Sequence, residues 1–134
     1  MPTVKSEFIL SRTGDIPLKL NGVQLSSGST HFSNGRDRNR WHELEVFEST
    51  KYVAHIKWRS QWDGEQPHDT VITEVTLAAL IDRIREYDPL AYLQGYPDGQ
   101  QFEKKQARLE NAIEDDWLSM ITDVFMALGV TESL

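Results

Sequence analysis

Residues 41–48 and 52–62 alternate apolar and polar side chains on either side of Ser49-Thr50-Lys51, and this pair of segments constrains the fold more than any other feature. Side chains alternate between the two faces of a strand, so a register slip of one residue would exchange the buried set for the solvated one. With a three-residue turn, Glu48 faces Tyr52, and His42, Leu44 and Val46 lie opposite Trp58, Ile56 and Ala54 on one face. The other face sets Glu45 against His55, Glu43 against Lys57 and Trp41 against Arg59. Opposite charges then meet across the strands, and Arg59 can lie on the Trp41 ring. A two-residue turn would put Glu43 against Ile56 on one face. Pattern and charge both favour three.

The same alternation predicts further strands. Residues 5–10 contain the apolar run Phe8-Ile9-Leu10, and residues 11–15 (Ser-Arg-Thr-Gly-Asp) carry turn chemistry. Ile16, Leu18 and Leu20 alternate before Asn21-Gly22, with Val23 and Leu25 after it. Asn-Gly is a strong hairpin signal, so a two-residue turn placing Leu20 opposite Val23 is expected, with a continuous bulged strand as the rival reading. Residues 26–40 form the longest polar stretch and are expected to be a long loop. A last strand is expected over 70–75.

From Thr76 onward the period changes. Thr76 suits a helix N-cap, and Leu77, Leu80, Ile81 and Ile84 follow the spacing of an amphipathic helix that Tyr87-Asp88-Pro89 stops. Residues 90–97 suit a short helical turn. Asp98 with Gln101 resembles a capping box for a final helix reaching Leu128, with Gly129 as its C-cap. Its apolar stripe is Ile113, Trp117, Met120, Ile121, Val124, Phe125 and Leu128. A helix of that reach measures about 45 Å, whereas the domain should be about 36 Å across. It must bend, break near residue 110, or project towards another copy. The expected fold is thus α+β over a single domain, residues 1–134. A four- to five-stranded antiparallel sheet (about residues 4–75) precedes two helices (about 76–87 and 98–128) packed on one face.

Charge is distributed unevenly. Residues 1–67 hold nine Lys or Arg against eight Asp or Glu, while residues 68–134 hold five against thirteen, within a net charge of −7. The absence of cysteine removes disulfide scaffolds, thiolate nucleophiles and zinc ribbons. No apolar run reaches the roughly 20 residues of a membrane span, and the first residues lack a signal peptide's apolar stretch. A cytoplasmic protein without a membrane partner is the expectation.

Candidate chemistry is thin. His31, His42, His55 and His68 show no metal-site spacing, and His42 and His55 point to opposite faces of the predicted sheet. Glu43 and Glu45 share a strand face, but their partners Lys57 and His55 would keep both ionised. Glu114-Asp115-Asp116, with Glu110 a turn earlier, reads as a solvated acidic face without a calcium loop. Ser26-Ser27-Gly28-Ser29-Thr30 lacks the Gly-Lys-Ser/Thr ending of a phosphate loop. No catalytic residue, cofactor or metal is assigned. The basic constellation remains: Arg36, Arg38 and Arg40 approach Trp41, and Lys57 and Arg59 lie on the paired strand. Arginine beside tryptophan suits phosphates with stacked bases, or an acidic protein surface. The leading expectation is a non-enzymatic interaction or regulatory module that binds a protein partner or, through the last helix, itself. The alternatives are a nucleic-acid accessory protein using these arginines, and a small enzyme with a pocket between sheet and helices.

Overall fold

The computed structural model describes residues 5–33, 35–97 and 99–131. The expected hairpin forms its centre. β5 (Arg40–Glu48) and β6 (Tyr52–Ser60) pair antiparallel with Glu48 opposite Tyr52, Leu44 opposite Ile56, His42 opposite Trp58 and Trp41 opposite Arg59. The Ser49 N–H donates to the Lys51 carbonyl at 2.8 Å across the three-residue turn. β7 (His68–Glu74) adds to the far side of β6, and the helices α1 (Leu77–Glu86) and α2 (Glu103–Ala127) follow, giving an α+β fold.

The chain before this hairpin departs from expectation. Asn21-Gly22 does not turn: β2 (Asp15–Ser29) runs on through it, pairing with β1 (Ser6–Arg12) up to Gly22 and with β5 from Val23 onward. The bulge of the rival reading is present, but between Gln24 and Ser26 rather than at Gly22. Gly22 serves a different need. A Cβ there would fall 2.2 Å from the Glu48 carbonyl oxygen, so only glycine allows the backbones to approach where β2 passes from one partner strand to the other.

The polar stretch 26–40 is not a long loop either. Residues 26–29 complete β2 opposite β5, and β3 (Phe32–Ser33) and β4 (Arg36–Asp37) form a small hairpin around Gly35 at φ +73°. Serine and glycine lower strand propensity, but the β5 ladder outweighs it by satisfying their backbone groups.

Strand order is β1-β2-β5-β6-β7, and the sheet curls until its ends meet. The Thr13 N–H donates to the Asp69 carbonyl at 3.0 Å, and the Asp69 N–H to Thr13 Oγ1 at 2.8 Å. Pleating therefore feeds two cores. Leu44, Val46, Ala54, Ile56 and Ile72 pack under Leu80 and Ile84 of α1 and Trp117, Met120, Ile121 and Val124 of α2. On the opposite face, the β1–β2 ribbon folds Phe8, Leu10, Leu18 and Leu20 over Phe47, Val53 and Val71. Each such side chain contributes about 1.5–3 kcal/mol by leaving water. The second core buries His55, which the sequence suggested would sit on a solvated face.

Thr76 caps α1 as expected, its Oγ1 accepting from the Ala79 N–H at 3.1 Å. α2 does not break near residue 110: a 3-10 turn (Gln100–Phe102) leads into one continuous helix. Asp98 lies outside the described residues, and Phe102 occupies the N-cap position of α2. Burial along α2 begins at Ile113, and none of residues 103–112 is buried. That overhanging half is held instead by the Tyr96 N–H, which donates to Gln106 Oε1 at 2.8 Å, and by Tyr96 stacking on Phe102. Gly129, at φ +72°, ends the helix. Its N–H donates to the Met126 carbonyl and the Val130 N–H to the Phe125 carbonyl, a Schellman arrangement.

Candidate functional site

The three arginines that alternate in sequence diverge in space. Arg36 is exposed on β4, opposite Ser33. Arg38 reaches α2, with Nε 3.0 Å from Asp116 Oδ2 in an ion pair and Nη2 donating to Oδ1 at 3.4 Å. Arg40 turns towards the loop after β6, where Nε donates to Glu65 Oε1 at 2.6 Å and the guanidinium lies 4.6 Å from the Trp62 ring centroid. Glu65 also accepts from Ser60 Oγ and the Gln94 N–H. Burial opposes its ionisation, but these three donors outweigh burial and hold the carboxyl below its ordinary range.

Trp41, Lys57 and Arg59 lie on the other face of the β5–β6 ladder, so the two basic groups do not merge. The Trp41 ring stacks on His31 at 3.8 Å between centroids, and its Nε1–H donates to Glu43. Lys57 pairs diagonally with Glu45 at 2.7 Å rather than with Glu43 directly opposite. Arg59 does not cover Trp41. Its Nη1 donates to Asp69 Oδ1 and to the Trp58 carbonyl. Asp69 accepts in addition from Ser11 Oγ and contacts His55 Nε2. Burial lowers the His55 pKa against the pull of Asp69. Its other nitrogen, Nδ1, is 3.9 Å from Glu45, too far for a hydrogen bond.

Four of the five cations that the sequence singled out are thus engaged in ion pairs within the chain. The interface between sheet and helices is packed mainly with apolar and aromatic side chains, with the buried His42 among them. Among the described residues, no group of three or more His, Asp and Glu is arranged to hold a metal ion. No helix among the described residues is long and apolar enough to cross a membrane.

Comparison with protein-family models, curated proteins and solved structures finds no match.

The surface that stands out physically lies where the β3–β4 hairpin faces α2. Phe32 is 65% exposed there, although large and apolar. With Ser29, Thr30 and Ser33 it forms one wall of a cleft of about 250 Å³, and Asp115, Asp116, Ser119, Met120 and Asp123 form the other. Helical spacing of three and four aligns Asp116, Ser119 and Asp123 on one side of α2. Hydrogen bonds fix the hairpin in place: the Arg38 N–H donates to the His31 carbonyl at 2.7 Å, and Thr30 Oγ1 accepts from the His42 N–H at 2.8 Å. Burial pushes the Asp116 carboxyl up, Arg38 pulls it down, and the charge of Asp115 pushes it up again. One cation therefore serves a wall bearing three aspartates.

Sequence reasoning missed Phe32 and Asp123. Phe32 is the lone Phe, Tyr or Trp within residues 26–40, a signal that was available. The alignment of Asp123 with the hairpin needed the fold.

Proposed function

We propose that the chain is a non-enzymatic interaction module that docks a basic segment of a protein partner into the cleft between the β3–β4 hairpin and α2. The observation that carries this reading is exposed Phe32 beside Asp115 and Asp123, aspartates without an ion-pair partner among the described residues. An exposed aromatic beside carboxylates suits a lysine or arginine side chain, with its stem on the ring and its charge among the acids. The acidic balance of residues 68–134 favours the approach of such a partner over long range. The internal ion pairs of Arg38, Arg40, Lys57 and Arg59 weigh against phosphate as the ligand, because neutralising a nucleic acid needs unengaged cations.

Calorimetric titration of the full chain with an alternating Lys/Leu octapeptide, against its Glu/Leu counterpart, tests this. Saturable binding of the basic peptide alone is expected. Phe32→Ala should weaken it at least about fivefold, as truncation of an aromatic anchor does, and Asp115→Asn with Asp123→Asn should weaken it further and flatten its salt dependence. Equal affinity for parent and Phe32→Ala would defeat the reading. So would dimerisation of the chain in light scattering that covers the cleft and excludes the peptide.

A further inference from the structure

Three buried polar atoms without a hydrogen-bond partner fall in one aromatic cluster between helices and sheet: His42 Nε2, Trp58 Nε1 and the Tyr87 hydroxyl. His42 and Trp58 are each 1% exposed. The His42 ring centroid is 4.9 Å from those of Trp58 and Trp117 and 5.9 Å, edge-on, from that of Tyr87. A buried donor or acceptor left unanswered costs about 1–3 kcal/mol, and three together would be a heavy cost at the centre of a core.

Their chemistry is complementary. Nε2 is the imidazole nitrogen without a partner, and the Pro89 carbonyl acts on the ring; the ring proton is therefore assigned to Nδ1, which leaves Nε2 an acceptor. The Trp58 Nε1–H can only donate, and the Tyr87 hydroxyl can do either. Burial and the Pro89 carbonyl are what act on the His42 imidazole. The matching ligand is neutral, donates and accepts, and is small enough for a packed aromatic box.

We propose that this box is a binding site for one water molecule, which donates to His42 Nε2, accepts from the Trp58 Nε1–H and is completed by the Tyr87 hydroxyl. An internal water needs two to four such partners. Here it joins the β5–β6 ladder to the segment leaving α1, and it is independent of the cleft beside Phe32.

A near-atomic-resolution crystal structure of the full chain, with nitrogen-15 spectra of the His42 ring in solution, tests the site. Density is expected roughly 2.7–3.2 Å from both His42 Nε2 and Trp58 Nε1, together with the Nδ1–H tautomer. Trp58→Phe should move the Nε2 resonance towards that of an unbonded acceptor. If that variant does not fold, the parent readings decide. Density showing Trp58 Nε1 bonded directly to His42 Nε2, the reversed tautomer, or a molecule larger than water would each overturn the proposal.

Discussion

Asp69 Oδ2 accepts the Ser11 hydroxyl at 2.6 Å and lies 3.0 Å from His55 Nε2, so one carboxylate oxygen ties the curled first strand to the middle of the sheet. A register shift between Leu10 and Arg12 falls at Ser11, where a bulge re-aims a side chain that strict alternation would point away. Burial opposes ionisation of Asp69, but Arg59 and Ser11, with His55 behind them, hold its pKa down to about 2. Asp69→Asn keeps the shape and removes the charge opposite Arg59. It should cost about 2–4 kcal/mol, as breaking a largely buried pair does, against about 1 kcal/mol for Ser11→Ala. Urea denaturation measures both, and amide exchange at Thr13 should quicken in Asp69→Asn. A variant within about 0.5 kcal/mol of the parent would show that the contact does not close the sheet.

Two glycines of β2 should respond unequally to alanine. At Gly22 the new Cβ meets the Glu48 carbonyl oxygen, a backbone atom with no room to yield. At Gly28 it meets Met120 Cγ at 2.8 Å and Val124 Cγ2 at 2.9 Å, side-chain atoms on α2. Gly28→Ala should cost about 1–3 kcal/mol by overpacking, and Gly22→Ala more, with disruption of the β1–β2 or β2–β5 ladder visible in the amide spectrum. The order of the two denaturation midpoints checks the argument, and a reversed order contradicts it.

The contrast between the β5–β6 turn and Asn21-Gly22 shows where the sequence was legible. Register between β5 and β6 was readable to the residue because buried and charged side chains alternate on both strands, and a slip would have exposed Leu44 and Ile56. Asn21-Gly22 misled because a glycine that permits a turn and one that permits a close backbone approach look alike. A chain reversal does lie between Ser33 and Arg36, where Gly35 has positive φ. The six candidate residues were found individually, yet their partners were not. Glu65, Asp69 and Asp116 are 25, 10 and 78 residues away from Arg40, Arg59 and Arg38, and local pattern carries no information on such pairs.

Reversing or removing the arginines therefore separates surface from interior. Arg36→Glu, at an exposed position, should change stability by less than about 0.5 kcal/mol. Arg40→Ala strands the buried Glu65 carboxylate, whose side chain is only 3% exposed against 8% for that of Arg40, and should cost about 3–5 kcal/mol. Ser60 and Gln94 retain their bonds to Glu65, which places the expected value at the lower end. Thermal unfolding of the two variants side by side provides the measurement. Comparable melting temperatures would mean that the Arg40–Glu65 pair is not the anchor of the loop after β6.

Acid should loosen the helix–sheet interface before it reaches the carboxylates. Burial lowers the His42 pKa from 6.5 to about 4, against a smaller opposing effect of the Pro89 carbonyl. The unfolded chain thus binds a proton between pH 6.5 and 4 that the folded chain refuses, so stability falls as pH drops through that window. His42 alone accounts for a loss on the order of 3 kcal/mol by pH 4. His55 and His68, both lowered chiefly by burial, act in the same direction. Asp69 enters lower still: its folded pKa lies beneath the ordinary 3.8, so its contribution is present above that value and is lost as pH falls towards 2. Urea midpoints at pH 7, 5.5 and 4.5 should decline steadily, with Trp117 and Trp58 fluorescence reporting the interface beside His42. A midpoint constant across that range would mean that the imidazole is not held neutral in the core.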